Sequence, residues 1–210
     1  MIKRALQHCR HWMTVLRGQG YYDDLYAVMH ERNAFKGDTW RGHLEQLRAL
    51  VPNLDQKTIL DFGCGPKGGL AAEYGQRVIS FDPYVAQFSA SPWEKSFDVV
   101  FSSDVLEHMT QSQIRDFLRR IRTSEPEFVF LVASIRQAHK SLPNGVNAHL
   151  TVKPAIWWLK TISQALGDAY VPRMVNADLI QQDVTLCFER SVRAEAKSSS
   201  VVGEPQCAGM

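Results

Sequence analysis

Thr58-Ile-Leu-Asp-Phe-Gly-Cys-Gly-Pro-Lys-Gly-Gly69, followed by Val78-Ile-Ser-Phe-Asp82, decides how this chain folds. A short apolar run ends in glycines, which let a backbone turn tightly, approach a ligand and enter a helix with its N-terminal amides pointing outward. Asp82 closes the next apolar run, about 20 residues beyond the first glycine, where the second strand of a βαβ unit presents a carboxylate to a ribose diol. The pattern predicts a cradle for a nucleotide-like cofactor at the edge of an α/β sheet.

The spacing Gly63-x-Gly65-x-x-Gly68 satisfies a dinucleotide fingerprint, so a nicotinamide-dependent oxidoreductase is one reading. The neighbouring residues favour another. Asp61 stands two residues before the first glycine and Pro66-Lys67 occupies the loop crest, which suits a cofactor with a cationic amino-acid end and no pyrophosphate. Asp61-Phe-Gly63-Cys-Gly65, taken with Ser96-Phe-Asp-Val-Val-Phe-Ser-Ser-Asp-Val-Leu-Glu-His-Met109, resembles the motifs of the small-molecule branch of the class I S-adenosylmethionine (SAM)-dependent methyltransferases. The resemblance covers roughly residues 56–135.

It implies a Rossmann-like, doubly wound, mostly parallel seven-stranded sheet preceded by N-terminal helices. It also implies SAM as cofactor, S-adenosylhomocysteine (SAH) as product, and methyl transfer to an O or N atom of a small molecule. On the same basis Gly63, Cys64 and Gly65 hold the methionine portion, and Asp61 helps through the amino group or bound water. Asp82 binds the ribose hydroxyls with Pro83 beside it, and Ser102, Ser103 and Asp104 lie near the amino-acid end.

The chain departs from the family pattern after Asp82, where little sequence remains before the strand at Phe97 and the third strand is short or missing. Val85–Ser89 reads either as an abbreviated strand or as a loop. Pro92-Trp93-Glu94 is the candidate adenine side, because an aromatic ring stacks on a purine and a carboxylate accepts its amino protons. Trp93 serves equally well as a core lid.

A sulfonium is an activated methyl donor, so no metal is expected and catalysis can rest on alignment of donor and acceptor. Where the acceptor must lose a proton, an imidazole is the natural base. His108, in a Leu-Glu-His turn, and His149 are the catalytic candidates, with His139 between them. A SAM-binding accessory module without methyl transfer is the competing reading from a different class.

The rest of the chain bounds these readings. A length of 210 residues with 45% hydrophobic content supports one well-filled core. We expect a helical cap over 1–55, a SAM-binding domain over 56–192 and a disordered tail over 193–210, which is poor in large apolar groups. The 24 basic and 22 acidic residues are interspersed, giving +2 and no field for nucleic acid or a membrane surface. Nucleic-acid methylation is further disfavoured by the absence of an Asn/Asp-Pro-Pro-aromatic turn after the fourth strand and of a Pro-Cys nucleophile. Phe128–Ala133, the longest apolar run, is far short of the ~20 residues that span a bilayer. The scattered Cys9, Cys64, Cys187 and Cys207 suit a reducing cytosol rather than zinc or disulfides.

Helical periodicity predicts amphipathic segments over Ile2–Leu16, Tyr21–Asn33 and Asp38–Leu50. His8 and His11 share a face of the first but lack a third ligand, and so read as an exposed pair. The lack of acids in residues 1–22 leaves a transit peptide as a minor reading. Tyr21, Tyr22, His30, Trp40 and Arg41 are candidates for the site mouth, each also explained by packing or exposure. Strands are expected at Thr58–Phe62, Arg77–Phe81, Phe97–Phe101 and Phe128–Ala133. Thr110-x-x-Gln113 reads as a capping box for the helix between the last two. The polar loop Ser134–Asn147 is the expected substrate-shaping element. A helix between Pro154 and Gly167 and a closing antiparallel pair, Tyr170–Val175 with Val184–Glu189, complete the chain.

Overall fold

The structure is a computed structural model and describes residues 20–32 and 34–191. The helix expected over Ile2–Leu16 with His8 and His11, the end of the next one at Asn33, the side chain of Tyr21, and the tail over 193–210 lie outside the described residues. The elements are α1 (Gly20–Glu31), α2 (Leu44–Leu50), β1 (Ile59–Phe62), α3 (Ala71–Tyr74), β2 (Val78–Phe81), β3 (Val99–Ser103), α4 (Gln111–Ser124), β4 (Phe128–Ser134), α5 (Ala155–Leu166), β5 (Tyr170–Asp178) and β6 (Asp183–Arg190). They build a Rossmann-like α/β fold on one sheet in the order β2-β1-β3-β4-β6-β5. β1 to β4 run parallel, while β6 is antiparallel to β4 and to β5.

β3 and β4 are buried along their whole length, as their continuous apolar sequence requires for central parallel strands covered on both faces. The two-residue period of a strand divides the core. Leu60, Val100, Val129 and Leu131 face α4 and α5 through Ile114, Phe117, Leu118, Ile121, Trp158 and Ile162. Ile59, Val99, Phe101 and Phe130 face Trp40, Leu47, Val51 and Leu54, in and around α2. Among the described residues no helix is long and apolar enough to cross a membrane.

Among the described residues the sheet has six strands, not the expected seven, because the third is missing rather than short. Ala86–Phe88 is a 3-10 turn, and the Asp82 amide donates to the Phe88 carbonyl at 3.0 Å, folding the chain back against the end of β2. Residues 83–98 must already carry the chain across β1 to β3, and a parallel crossover takes about a dozen residues by itself. Two smaller expectations also shift. β3 extends through Ser102 and Ser103, which therefore belong to the strand. Asp38 makes no side-chain cap, and the segment before α2 is a 3-10 turn over Thr39–His43.

The capping box at α4 forms as its sequence demands. Thr110 Oγ1 accepts from the Gln113 amide at 3.3 Å, and Gln113 Oε1 accepts from the Thr110 amide at 2.8 Å. Gln113 then donates through Nε2 to Asp23 Oδ1 at 2.9 Å, which ties the start of α4 to α1.

The glycine loop is held from below. Asp61 leaves β1 toward the interior, and its Oδ2 accepts from the Leu70 amide at 2.7 Å, at the entry to α3. The carboxylate is 3% exposed, and burial raises its pKa to about 7 against the opposing pull of that amide. The fit leaves no room at Gly69, where a Cβ would stand 1.9 Å from Asp61 Oδ2 and where φ is +55°. Gly69→Ala should therefore cost roughly 2–4 kcal/mol from overpacking and left-handed strain together, read as a lower urea midpoint. Asp61 also predicts a pH slope. The unfolded chain releases this proton near pH 3.8 while the folded protein holds it to about 7. Stability from this group is thus full at acid pH and falls as pH rises through that window, by at most about 1.4 kcal/mol per unit. Urea titrations at several pH values should show a shallower slope in Asp61→Asn, whose amide oxygen still accepts from Leu70.

Candidate functional site

The carboxyl ends of β1, β2, β3 and β4 open into one cleft of about 920 Å³, roofed by α1 and by the segment Phe35–Thr39. This is the edge at which an open parallel sheet binds ligands. Its floor at β1 is the glycine loop. Gly65 takes φ +66° and lies so close to Gly37 that a Cβ would meet the Gly37 Cα at 2.7 Å, so only glycine lets roof and floor touch here. The Gly65 amide donates to Asp82 Oδ2 at 3.1 Å, and the Tyr84 amide donates to Asp82 Oδ1 at 3.0 Å. These two bonds use two of the carboxylate's four lone-pair positions, and the residue itself lines the cleft.

Gly63, Gly65, Asp82, Pro83, Trp93, Ser103 and Asp104 all line this cleft, as do His108 and His149. Asp61, Cys64 and Ser102 do not line it. Asp61 and Cys64 face a small separate crevice behind the loop. Ser102 is fully buried and donates to the Phe62 carbonyl at 2.9 Å. The Cys64 thiol is raised above its ordinary value, first by burial and then by the Asp61 charge. Of the candidate adenine side, Trp93 reaches the cleft while Glu94 is exposed and does not line it. Trp93 sits with Phe62 and Phe117, ring centres 6.1 Å from each, and with Phe81 these packed rings make an apolar wall of the cleft.

Opposite this wall, the turn after β3 meets the loop after β4. Asp104 adopts φ +55°, an uncommon conformation for a non-glycine residue and one that turns the chain sharply off the sheet. The Thr151 amide donates to the Glu107 carbonyl at 2.9 Å, and Thr151 Oγ1 donates to the Met109 carbonyl at 2.7 Å. This lays residues 148–151 along the Leu-Glu-His turn. Asn147 fixes the other end: its Oδ1 accepts from the Ala138 and His149 amides at 3.0 and 2.9 Å, and its Nδ2 donates to the Ala138 carbonyl at 2.9 Å. The loop after β4 is thus a stapled structure with Leu142 and Ala148 buried against Tyr26 and Met29 of α1.

The two imidazoles arrive edge to face, ring centres 4.8 Å apart. His108 Nδ1 donates to the Ala148 carbonyl at 2.8 Å, a carbonyl that also accepts from the Tyr26 hydroxyl. His149 Nδ1 donates to the Arg136 carbonyl at 2.6 Å. In both rings this leaves Nε2 as the free acceptor. Burial, then the neighbouring His149 charge, holds His108 down to about 4, and burial lowers His149 as well. Both are neutral near pH 7. His139 lines the same cleft.

Among the earlier mouth candidates, His30 lines the cleft and stacks near Phe35 and Tyr84. Trp40 instead belongs to the core with Arg41 over its ring, and Tyr22 packs on the cluster around Tyr26. Asp23, Tyr26, Glu107 and Gln113 were missed as site residues. Glu107 carried a signal, being an acid between two apolar residues and a histidine directly beyond a buried strand. Asp23 carried none, because its place depends on how α1 crosses the sheet.

The amides at the loop also bear on the dinucleotide reading. A pyrophosphate binds the free amides at the first turn of the helix after the glycines. Here Asp61 already occupies the Leu70 amide, and α3 is a single short turn.

No protein-family model matches the chain, and no curated protein does. Several solved structures resemble it. One is the 1,6-didemethyltoxoflavin-N1-methyltransferase of Burkholderia thailandensis with bound 1,6-didemethyltoxoflavin and SAH, at 14% identity and TM-score 0.49, over 87% of this chain and 90% of that one. A second is the magnesium protoporphyrin IX methyltransferase of Synechocystis PCC 6803 with bound SAM, at 14% identity and TM-score 0.41, over 73% and 82%. A third is PigF with SAH, at 14% identity and TM-score 0.47, over 86% of this chain and 62% of that one.

Proposed function

We propose that the protein transfers a methyl group from SAM to an O or N atom of a small-molecule acceptor. The observation that carries this reading is Asp82: a buried carboxylate at the end of β2 that lines the cleft, anchored by two backbone amides that leave two of its four lone-pair positions unused by them. Those positions suit the two hydroxyls of a ribose. The cleft fits the rest of the cofactor. The apolar wall of Phe62, Phe81, Trp93 and Phe117 suits a purine, and the glycine loop at Gly63 and Gly65, which also lines the cleft, suits the methionine portion. The acid-rich loop end, with Asp104 and Ser103 beside it, offers acceptors to an ammonium group.

When bound, SAM supplies a methyl group on a good leaving sulfur. The chain's part is to hold donor and acceptor in line and to limit access of water, and the roof of α1 and Phe35–Thr39 is the part of the cleft wall placed for this. His108 and His149 line the cleft, and with Nδ1 of each bonded to a backbone carbonyl, Nε2 is the nitrogen left with a lone pair. Free buried Cys64 and Cys187 are compatible with a reducing cytosol. The missing third strand supports a second reading, a SAM-binding module without turnover, since it shortens the wall on the adenine side.

Titration calorimetry with SAM, SAH and NAD tests the assignment. SAM and SAH should bind and NAD should not, and Asp82→Ala should weaken SAM by roughly 10–100-fold through loss of charge-assisted hydrogen bonds. Binding of NAD alone would return the protein to the oxidoreductases. SAM binding without SAH release across a panel of acceptors would favour the accessory module.

A further inference from the structure

We infer that Glu107, His108 and His149 form a binding site for a divalent transition-metal ion on the acceptor side of the cleft. The sequence pointed to no metal, because the substrate loop separates these ligands and only folding joins them. One donor atom from each of the three lies within 4.8 Å of the others. His149 Nε2 stands 3.9 Å from Glu107 Oε1, too long for a hydrogen bond. Two donors on one ion at ~2.0–2.2 Å sit about 3–3.5 Å apart, so closure needs shifts of up to about 2 Å.

Three independent features favour the site. Glu107 is fully buried, and neither carboxylate oxygen has a hydrogen-bond partner among the described residues. The amides of Glu107 and Ser134 lie near enough to favour its charge without closing a bond to either oxygen. A buried carboxylate left in that condition is costly unless a ligand completes it. Secondly, both imidazoles donate Nδ1–H to a backbone carbonyl, Ala148 for His108 and Arg136 for His149. This is the arrangement that fixes the tautomer and aims Nε2 at a metal. Thirdly, all three residues border the cleft, so an ion held by them lies beside the space proposed for the acceptor.

Two imidazoles and a carboxylate suit Mn2+, Co2+ or Zn2+ and discriminate against Mg2+, which prefers oxygen and water. Resting on the methyl-transfer reading, the ion selects an acceptor that presents a hydroxyl, best with a second oxygen beside it, and lowers the hydroxyl pKa. In that transfer the hydroxyl proton goes to water, the oxygen pair forms the new O–C bond, and the pair of the broken S–C bond stays on sulfur.

The test uses the whole chain, stripped with a chelator and free of SAM. Co2+ is added and followed by visible absorption, then Mn2+ and Mg2+ by calorimetry. One equivalent of Co2+ should bind with bands of mixed nitrogen and oxygen ligation, and Mg2+ should bind far more weakly. Glu107→Gln and His149→Gln, each checked for cooperative thermal unfolding so that one can stand in for the other, should weaken Co2+ by more than about tenfold. His8→Ala/His11→Ala should leave it unchanged. Failure to bind one equivalent, or binding that survives both substitutions and disappears with His8 and His11, overturns the site. Asp82→Ala is predicted to leave the Co2+ spectrum intact while SAM binding falls, so failure of the metal site and failure of the SAM reading give different results.

Discussion

Two buried carboxylates at the ends of adjacent strands, Asp61 and Asp82, hold the glycine loop by its backbone amides, and the site depends on that pair of clamps. Asp61 takes the Leu70 amide from beneath and Asp82 takes the Gly65 amide from the side. Each amide would otherwise be a buried donor without a partner or an anchor for an anionic ligand. With both amides occupied the loop has one shape. The shape brings Gly65 against Gly37, and through that contact the roof segment before α2 settles on the floor. Fold and cleft are therefore set by one set of bonds.

The parts of the chain governed by local rules were legible in the sequence. Continuous apolar runs gave β3 and β4 because a strand covered on both faces needs nothing else, and the Thr110–Gln113 box formed because its reciprocal bonds involve only neighbours. Asp82 and the glycines could be placed because a strand, a tight turn and a second strand bring them together within one βαβ unit. The missing third strand was open in the sequence because Val85–Ser89 is apolar enough for either fate. What decided it was the length of chain left for the crossover to β3, a constraint of topology rather than propensity.

The acceptor side was read less well, and the reason is distance along the chain. His108 and His149 were visible as titratable residues, but their edge-to-face approach depends on Asn147 pinning the loop and on Thr151 bonding to the turn at Glu107 and Met109. Glu107 was hidden for a related reason. A turn residue next to a histidine is ordinarily exposed, and the burial of this one comes from tertiary structure, in which the Thr151 amide bonds to its carbonyl. Asp23 is set by the crossing of α1, which no pattern in residues 20–31 encodes. Its bonds from Gln113 and Tyr84 belong wholly to tertiary structure.

The two ends of the cleft differ in how they treat buried charge, and the difference separates what is structural from what serves a ligand. At the glycine loop Asp61 accepts a short bond from an amide, which offsets part of the cost of its burial within the fold. At the turn after β3, Glu107 is buried more completely and matched by nothing of comparable geometry, with Asp104 adding repulsion. A fold that placed Glu107 there for packing alone would do better with leucine or methionine, since an uncompensated buried carboxyl costs several kcal/mol or forfeits its charge. Retaining it beside two oriented imidazoles places the local rule-breaking at the mouth of the cleft, where a site that binds something is expected to carry its strain.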